Sequence, residues 1–401
     1  ERPRGQHRAL AAIAGSQLLV LTLWFSASAV APQLEAEWRL TSGEAAGLTL
    51  AVQIGFVLGA LVSGVLSVAD IVPARRLFVI TGLAGALFNV ALLALGPGDT
   101  GTAFALRLLT GVALAGVYPS GLKVMAGWFE RGRGMALGAL VGALTVGSAG
   151  PHLIRGVGFG WEGVIAGASV LAVLGVVILG TLVGDGPYET APSRFSWDQI
   201  GAVLRNEGVR LSTYGYLGHM WELYAMWTWT AAFLTASAAA SGSTDGWVPT
   251  ATFAVIAIGG AGAWVAGVIA DRRGRTVVAS GSMAISGTCA LVSPIVFGLS
   301  PWIVVPVFLV WGATVVSDSA QFSAMVTETA ADVYRGTALT LQTAIGFMLT
   351  LATIRGVPVL AEAWGWRWAF PVLALGPAVG IMAMVRLRQS THAAKLAGGL
   401  G

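Results

Sequence analysis

Twelve apolar runs of about 20 residues each divide this sequence, and a helix of that length crosses the hydrocarbon core of a bilayer. They occupy residues 9–31, 44–66, 77–96, 102–127, 134–156, 162–183, 211–237, 250–269, 276–298, 302–325, 337–359 and 366–386. The core holds no water, so each run must pair its backbone N–H and C=O groups internally as a helix. The sequence therefore predicts an all-α membrane protein with twelve transmembrane helices, numbered here as spans 1 to 12.

The composition supports this prediction. Hydrophobic residues make up 56% of the chain and charged residues only 10%, against about 45–50% and about 25% in soluble proteins. The net charge of +4 comes from basic residues in loops, so there is no soluble basic face and we expect no nucleic-acid partner. The single cysteine, Cys289, excludes an intrachain disulfide. A lone H-x-x-E pattern is poor support for a metal, and we expect no cofactor.

Lysine and arginine concentrate in alternate loops between the spans. Loops with such an excess lie on the cytoplasmic side of a membrane. This rule places both termini in the cytoplasm and the chain in the inner (cytoplasmic) membrane. The loop arginines behind this assignment include Arg75, Arg76, Arg131, Arg133, Arg205, Arg210, Arg272, Arg273, Arg275 and Arg335.

The two halves of the sequence repeat each other. "SVADIVPARRL" after span 2 corresponds to "GVIADRRGRT" after span 8, and "IRGV" stands at the end of both span 5 and span 11. The duplication predicts two pseudo-symmetric six-helix bundles, at 1–184 and at 211–401 with its short tail. A central cytoplasmic loop at 185–210 joins them, and its segment "SWDQIGAVLRN" has the pattern of a short amphipathic helix.

Several motifs resemble those of a known family. The two parallel halves and the G-x-x-x-D-R-x-G-R loop of Gly267, Asp271, Arg272, Gly274 and Arg275 resemble the major facilitator superfamily of secondary transporters. "RLLTGVALAGVYPSG" in span 4, "WFERGRGMALG" before span 5 and "GWRWAF" before span 12 are similar to other family features. Within the superfamily the sequence is closest to the nitrate/nitrite and cyanate porter branch, although spans 5 and 11 lack the nitrate porters' glycine-rich signature.

The family resemblance implies that the loop after span 8 is a conformational latch. Asp271 can hold a helix N-terminus and nearby arginines, and Gly274 permits a tight turn. Such a latch would break when the two halves rock. The first copy has Asp70 in the same position, but Pro73 replaces the usual glycine, so that latch is expected to be looser. A basic loop that only sets the topology is the alternative for both copies.

The most unusual charge is Glu222. It lies about eleven residues into span 7, which is roughly 16 Å along a helix and so near the middle of a core about 30 Å thick. An ionised carboxylate at that depth costs about 2.5–3.5 kcal/mol on insertion scales, so it should face protein or water. His219 lies one turn earlier on the same face. We predict that both couple transport to protons; permanent pairing for packing is the alternative.

The family resemblance implies that spans 1, 4, 7 and 10 line the transport path. Asp318 in span 10 is a candidate second proton site or a partner of Lys123. Arg107 matches the family's fourth-span arginine and is a candidate for substrate binding or coupling, with structural pairing as the alternative. The other substrate-binding candidates from these spans are Trp24, Tyr118, Trp227, Trp229 and Gln321.

Arg155 and Arg355 are related by the repeat and lie near the outer ends of spans 5 and 11. Facing each other, they would present a positive ring to an incoming anion, because guanidinium groups bind carboxylate-like groups through two parallel bonds. The alternative is that both side chains extend to the outer headgroups.

The sequence therefore predicts a proton-coupled secondary active transporter that moves a small organic or inorganic anion by alternating access. The alternative is proton-driven export of amphipathic or cationic compounds, because Gly138, Gly147, Gly150 and Pro151 resemble the glycine–proline motif of exporters. The spacing of this motif is one residue short, however, and close helix packing with a proline kink is the other explanation of these residues. We expect a monomer whose partners are a small-molecule substrate, protons and lipid. An enzyme would need a nucleophile–base or metal arrangement on facing helices, and none stands out.

Overall fold

The computed structural model describes residues 5–66, 68–129, 133–188 and 196–401, and within these ranges its regular elements are all helical. The chain divides into two compact units, Glu1–Pro192 and Ser193–Gly401. The all-α prediction is confirmed.

The described residues of the first unit form eight α-helices. They are α1 (Gln6–Leu21), α2 (Ala31–Trp38), α3 (Ser42–Val65), α4 (Val68–Ile71), α5 (Ala74–Val90), α6 (Thr100–Trp128), α7 (Arg133–Gly156) and α8 (Trp161–Leu182). Helices α3 and α6 approach closely because glycines stand where they meet. A Cβ at Gly55 would collide with the Leu108 carbonyl, and one at Gly111 with the Val52 carbonyl. Small residues of this kind let helices pack tightly in lipid.

The second unit contains the other eight α-helices. They are α9 (Ile200–Arg205), α10 (Glu207–Ser241), α11 (Val248–Arg273), α12 (Arg275–Val296), α13 (Pro301–Val315), α14 (Ser319–Thr329), α15 (Arg335–Trp364) and α16 (Leu375–Gln389). Gly218 of α10 and Gly376 of α16 bring these two helices together in the same way, since a Cβ on either would meet the other's carbonyl oxygen.

Each predicted span coincides with helical structure. Among the described residues, nine helical segments are long and apolar enough to cross a membrane, and they match spans 2, 3, 4, 6 and 8 to 12. Spans 1, 5 and 7 correspond to α1 with the turn after it, to α7 and to α10. Helix α10 is 35 residues long and thus extends beyond the predicted limits of span 7.

The α-helical hydrogen bonding is interrupted inside spans 1 and 10, which the hydropathy pattern does not show. Span 1 is α-helical up to Leu21. Its last residues form a 3₁₀ turn at Ser28–Val30, which leads into α2. Span 10 is interrupted between Val315, the last residue of α13, and Ser319, the first residue of α14. At this break in span 10 the N–H groups of Ser317, Ser319 and Gln321 bond the carbonyls three residues earlier, so the break is a tight turn within one helical segment.

The predicted amphipathic helix in the central segment forms as a 3₁₀ turn at Trp197–Gln199 followed by α9. Val203 is buried against Val209 and Val326, whereas Trp197 and Leu204 are exposed. The short helix therefore has one face packed on the second unit.

Candidate functional site

Glu222 is buried inside the second unit, with a relative exposure of 1%. The Ser286 hydroxyl of α12 donates to Oε2 at 2.7 Å. The Trp311 indole N–H of α13 donates to Oε1, also at 2.7 Å. One carboxyl group of α10 therefore connects three helices of the same bundle. Both donors are uncharged, so neither neutralises a negative charge on Glu222.

His219 lies one turn before Glu222 and bridges the break in span 10. Its Nδ1 lies 2.8 Å from Oδ1 of Asp318, and its Nε2 lies 2.7 Å from the Ser319 hydroxyl. Aspartate at a helix start usually bonds the N–H groups of the first turn, but Asp318 makes no such bond to α14. Its carboxyl is turned to the imidazole instead. His219 thus contacts the residue at the end of the break and the first residue of α14.

The three titratable groups Glu222, His219 and Asp318 form what is called here the acidic cluster. Each has an exposure of 1–2%. Within the described part of the chain, neither carboxyl of the cluster makes an ion pair with a lysine or arginine. All three side chains are of kinds that can carry a proton. The cluster can equally attract a cationic ligand.

The predicted latch loop forms an ion pair that the sequence analysis did not identify. Arg275 Nε lies 2.9 Å from each carboxylate oxygen of Glu328, and its Nη2 lies 2.6 Å from Oε1. Arg275 Nη1 also donates to the Gln321 side-chain oxygen at 3.1 Å. Asp271, by contrast, is 71% exposed and lies 4.0 Å from Arg275. The principal acidic partner in this loop is therefore Glu328 of α14.

The other latch residues have distinct environments. Gly274 has φ 97°, and a Cβ there would press on the backbone oxygens of Leu400 and Gly401, so glycine is needed at this turn. Gly267 has open space around it, and Arg272 is exposed. Asp70 belongs to α4, but its side chain lies outside the described residues.

Arg107 is fully buried in the first unit and holds the break in span 1. Its Nη1 donates to the Leu23 carbonyl at 3.1 Å, to Ser26 Oγ at 3.0 Å and to Asn89 Oδ1 at 2.9 Å. Its Nη2 donates to the Trp24 carbonyl at 2.6 Å. These acceptors include the backbone oxygens left open where α1 ends. Both terminal nitrogens of Arg107 are therefore occupied by protein.

Of the remaining predicted residues of the first unit, Trp24 contacts Arg107 through its backbone carbonyl. The Trp24 side chain is buried, donates to the Gln53 side-chain oxygen at 3.2 Å and packs on Phe56. Tyr118 and Arg155 are half-buried.

In the second unit, Trp227 is fully buried and packs edge-on against Tyr224. Trp229 is half-buried and donates to the Ile354 carbonyl at 2.9 Å. Gln321 is buried and accepts from Arg275, whereas Arg355 is exposed.

Sequence reasoning missed Ser286, Glu328 and Asn89. Ser286 and Asn89 are single polar residues in apolar runs, and such residues are often satisfied by their own helix. Glu328 had a readable signal, because the ends of spans 8 and 10 are predicted to lie on the same side of the membrane, which brings this acidic residue of α14 to the side of the basic loop.

Two compact helical units with membrane-spanning segments, broken helices and a buried acidic cluster define a polytopic membrane transporter. The sequence matches the family model of the Major Facilitator Superfamily over residues 13–352, and the chain belongs to that superfamily. Among solved structures, a mutant of the nucleoside transporter NupG is similar, with a TM-score of 0.70 and 14% sequence identity. The match covers 95% of this chain and 99% of that chain. No curated protein sequence matches the chain.

Proposed function

We propose that this chain is a proton-coupled secondary active transporter that works by alternating access. The observation that carries the proposal is the acidic cluster, which holds two carboxyl groups inside spanning helices without a lysine or arginine partner among the described residues. An ionised carboxylate in a bilayer core costs at least about 2.5–3.5 kcal/mol on insertion scales. Binding a proton removes that cost, so the charge of the cluster depends on which side of the membrane it faces.

Two substrate classes fit a transporter of this family. The sequence suggested a small organic or inorganic anion bound by Arg107, Arg155 and Arg355. Both terminal nitrogens of Arg107 already bind protein oxygens, and Arg355 is exposed, so these contacts do not favour an anion site. The uncompensated carboxyls favour the second class, which is a cationic or amphipathic compound exchanged for protons.

The position of His219 suggests how proton binding could move a helix. His219 contacts both Asp318 and Ser319, which lie on the two sides of the junction between the break and α14. Protonation changes the imidazole from one N–H donor to two. That change alters its bonds on both sides of the junction, and the angle between α13 and α14 would change with it.

We further propose that the end of the second unit that carries Arg275 and Glu328 faces the cytoplasm, as the distribution of basic residues indicates. The ion pair then acts as a latch in one of the two access states. The protein would function as a monomer in the inner membrane. Its placement in the nitrate/nitrite and cyanate branch stays a prediction.

The test is transport by the purified protein in proteoliposomes under an imposed pH gradient. The panel contains hydrophobic cations, carboxylates, nitrate-like anions and, because a nucleoside transporter shares the fold, nucleosides. We expect gradient-driven movement of a cationic or amphipathic compound and proton flux in the opposite direction. Transport that follows the substrate gradient alone, at every pH, would contradict proton coupling. Gradient-driven uptake of an anion would show that the substrate is a small organic or inorganic anion instead.

A further inference from the structure

The two oxygens of Glu222 have partners of different kinds. Oε1 receives the indole N–H of Trp311 at 2.7 Å, and an indole can only donate. Oε2 receives the hydroxyl of Ser286, also at 2.7 Å, and a hydroxyl can both donate and accept. A proton on Oε1 would therefore have no acceptor in Trp311, whereas a proton on Oε2 could be donated to Ser286 Oγ.

Ser286 has a second place for its own hydrogen. Its hydroxyl lies 3.3 Å from the carbonyl oxygen of Met283, one turn earlier in α12. When Glu222 is ionised, Ser286 can donate to Oε2. When Glu222 is protonated, Oε2–H can donate to Ser286 Oγ, whose hydrogen then turns to Met283. Every buried polar group in this set stays paired in both states, and unpaired groups at such sites are costly.

We propose that Ser286 is a positioning residue that lets Glu222 gain and lose a proton on Oε2 without leaving a buried polar atom unpaired. One proton is added to Glu222 and none leaves Ser286, because the hydroxyl only rotates. This inference rests on the proposed proton coupling. It adds the atom that carries the proton and a residue on α12 that the sequence analysis did not select.

Other titratable groups lie close to Glu222. They are Asp318 at the break in span 10, Cys289 one turn after Ser286 in α12, and His219 on α10 itself. The charged residues of α15 and α16 stand near the helix ends or in the last third of α15, at Arg335, Arg355, Glu362, Arg386 and Arg388. The variants below leave all of these groups in place.

The experiment measures the protonation of Glu222 directly and needs no substrate. Infrared difference spectra of the purified protein in liposomes are recorded during a pH titration, and the C=O band of a protonated carboxyl is assigned to Glu222 by its loss in Glu222→Gln. We expect Ser286→Ala to move the midpoint of this band about one pH unit toward alkaline pH, since a hydrogen bond to a charged group exceeds one to a neutral group by about that amount. The band should also shift in frequency, because the O–H loses its acceptor.

Matched variants separate this role from packing. Ser293→Ala removes another buried hydroxyl of α12, which bonds only the Ala290 carbonyl at 2.8 Å, and should leave midpoint and frequency unchanged. Ser286→Thr keeps a hydroxyl and should behave as the wild type. If Ser286→Ala does not fold, Ser286→Cys keeps the volume with a weaker donor and should shift the midpoint in the same direction.

The outcomes distinguish the two proposals. A wild-type band that titrates but is unchanged in both Ser286→Ala and Ser286→Cys would overturn the role of Ser286 and leave proton coupling intact. A wild type that shows no titrating band for Glu222 and no pH-driven transport would overturn the proposed function itself.

Discussion

The imidazole Nδ1 of His219 lies 2.8 Å from a carboxylate oxygen of Asp318, at the point where the tenth span is broken. Both side chains are almost fully buried. The pair joins α10 to the junction before α14 through two groups that can share a proton. A single protonation event there changes the charge at a place where the α-helical hydrogen bonding of span 10 is already interrupted.

Replacement of His219 by glutamine tests this relationship. Glutamine keeps one donor and one acceptor but cannot take up a proton. We expect gradient-driven accumulation to fall about tenfold or more, since a hydrogen bond to a charged group contributes about 1.5–3 kcal/mol, while exchange of substrate at equal pH persists. The measurement is accumulation and exchange in the same proteoliposome preparation.

Ser319→Ala is the matched control for His219→Gln. It removes the partner of Nε2 and leaves Asp318 and the imidazole in place. Accumulation in this variant should fall less than in His219→Gln, by about twofold to tenfold, because one neutral hydrogen bond contributes about 0.5–1.5 kcal/mol. Equal losses in both variants would show that His219 acts through packing rather than through its proton.

Glu222→Gln keeps the shape of the side chain and removes its charge. Because the amide cannot be ionised, we expect gradient-driven accumulation to disappear while binding or exchange remains measurable. Glu362→Gln is the control, since Glu362 is exposed near the end of α15 and belongs neither to the acidic cluster nor to the ion pair of Arg275, and it should leave accumulation unchanged. Unchanged accumulation in Glu222→Gln would remove Glu222 from the mechanism.

The spans themselves could be read from the sequence because hydropathy and length decide which segments cross a bilayer. The break at Asp318 could not be read in this way, since no glycine or proline marks it. The sequence signal of the break is weaker. Val315 and Val316 are β-branched, and the three residues that follow, Ser317, Asp318 and Ser319, favour helix starts over helix interiors.

The candidate site was only partly readable from the sequence. Glu222, His219 and Asp318 stand out because charges are rare in spans, and the structure brings them into one bundle. Their partners depend on tertiary packing. Ser286 is one of many serines in the chain, and two of the four acceptors of Arg107 are backbone oxygens, which carry no sequence signal.

We expect Arg107 mainly to stabilise the fold rather than to bind substrate. Arg107→Lys keeps the charge but replaces a planar group with five donors by an ammonium with three, which cannot reach the Leu23 and Trp24 carbonyls, Ser26 and Asn89 together. Each buried acceptor left unpaired costs about 1–3 kcal/mol, so we expect thermal unfolding in detergent at a clearly lower temperature.

Arg155→Lys is the control for Arg107→Lys, because Arg155 is only half-buried. Its unfolding temperature should stay close to that of the wild type. If Arg107→Lys unfolds normally but binds substrate much more weakly, the substrate-binding role suggested by the sequence would be the better account of this residue.

The latch is tested by a double-mutant cycle on Arg275 and Glu328. Their side chains are 18% and 25% exposed and meet through two parallel bonds, so we expect a coupling free energy of about 1 kcal/mol, near the upper end for exposed pairs. Each single change also removes one further bond, because Arg275→Ala leaves the Gln321 oxygen without its donor and Glu328→Ala leaves the Ala397 N–H without its acceptor. A parallel cycle with Asp271→Asn should give almost no coupling, since that carboxylate is 4.0 Å away and largely exposed. Both couplings are measured by unfolding in detergent. If Arg275 coupled more strongly to Asp271 than to Glu328, the latch would consist of the loop motif alone.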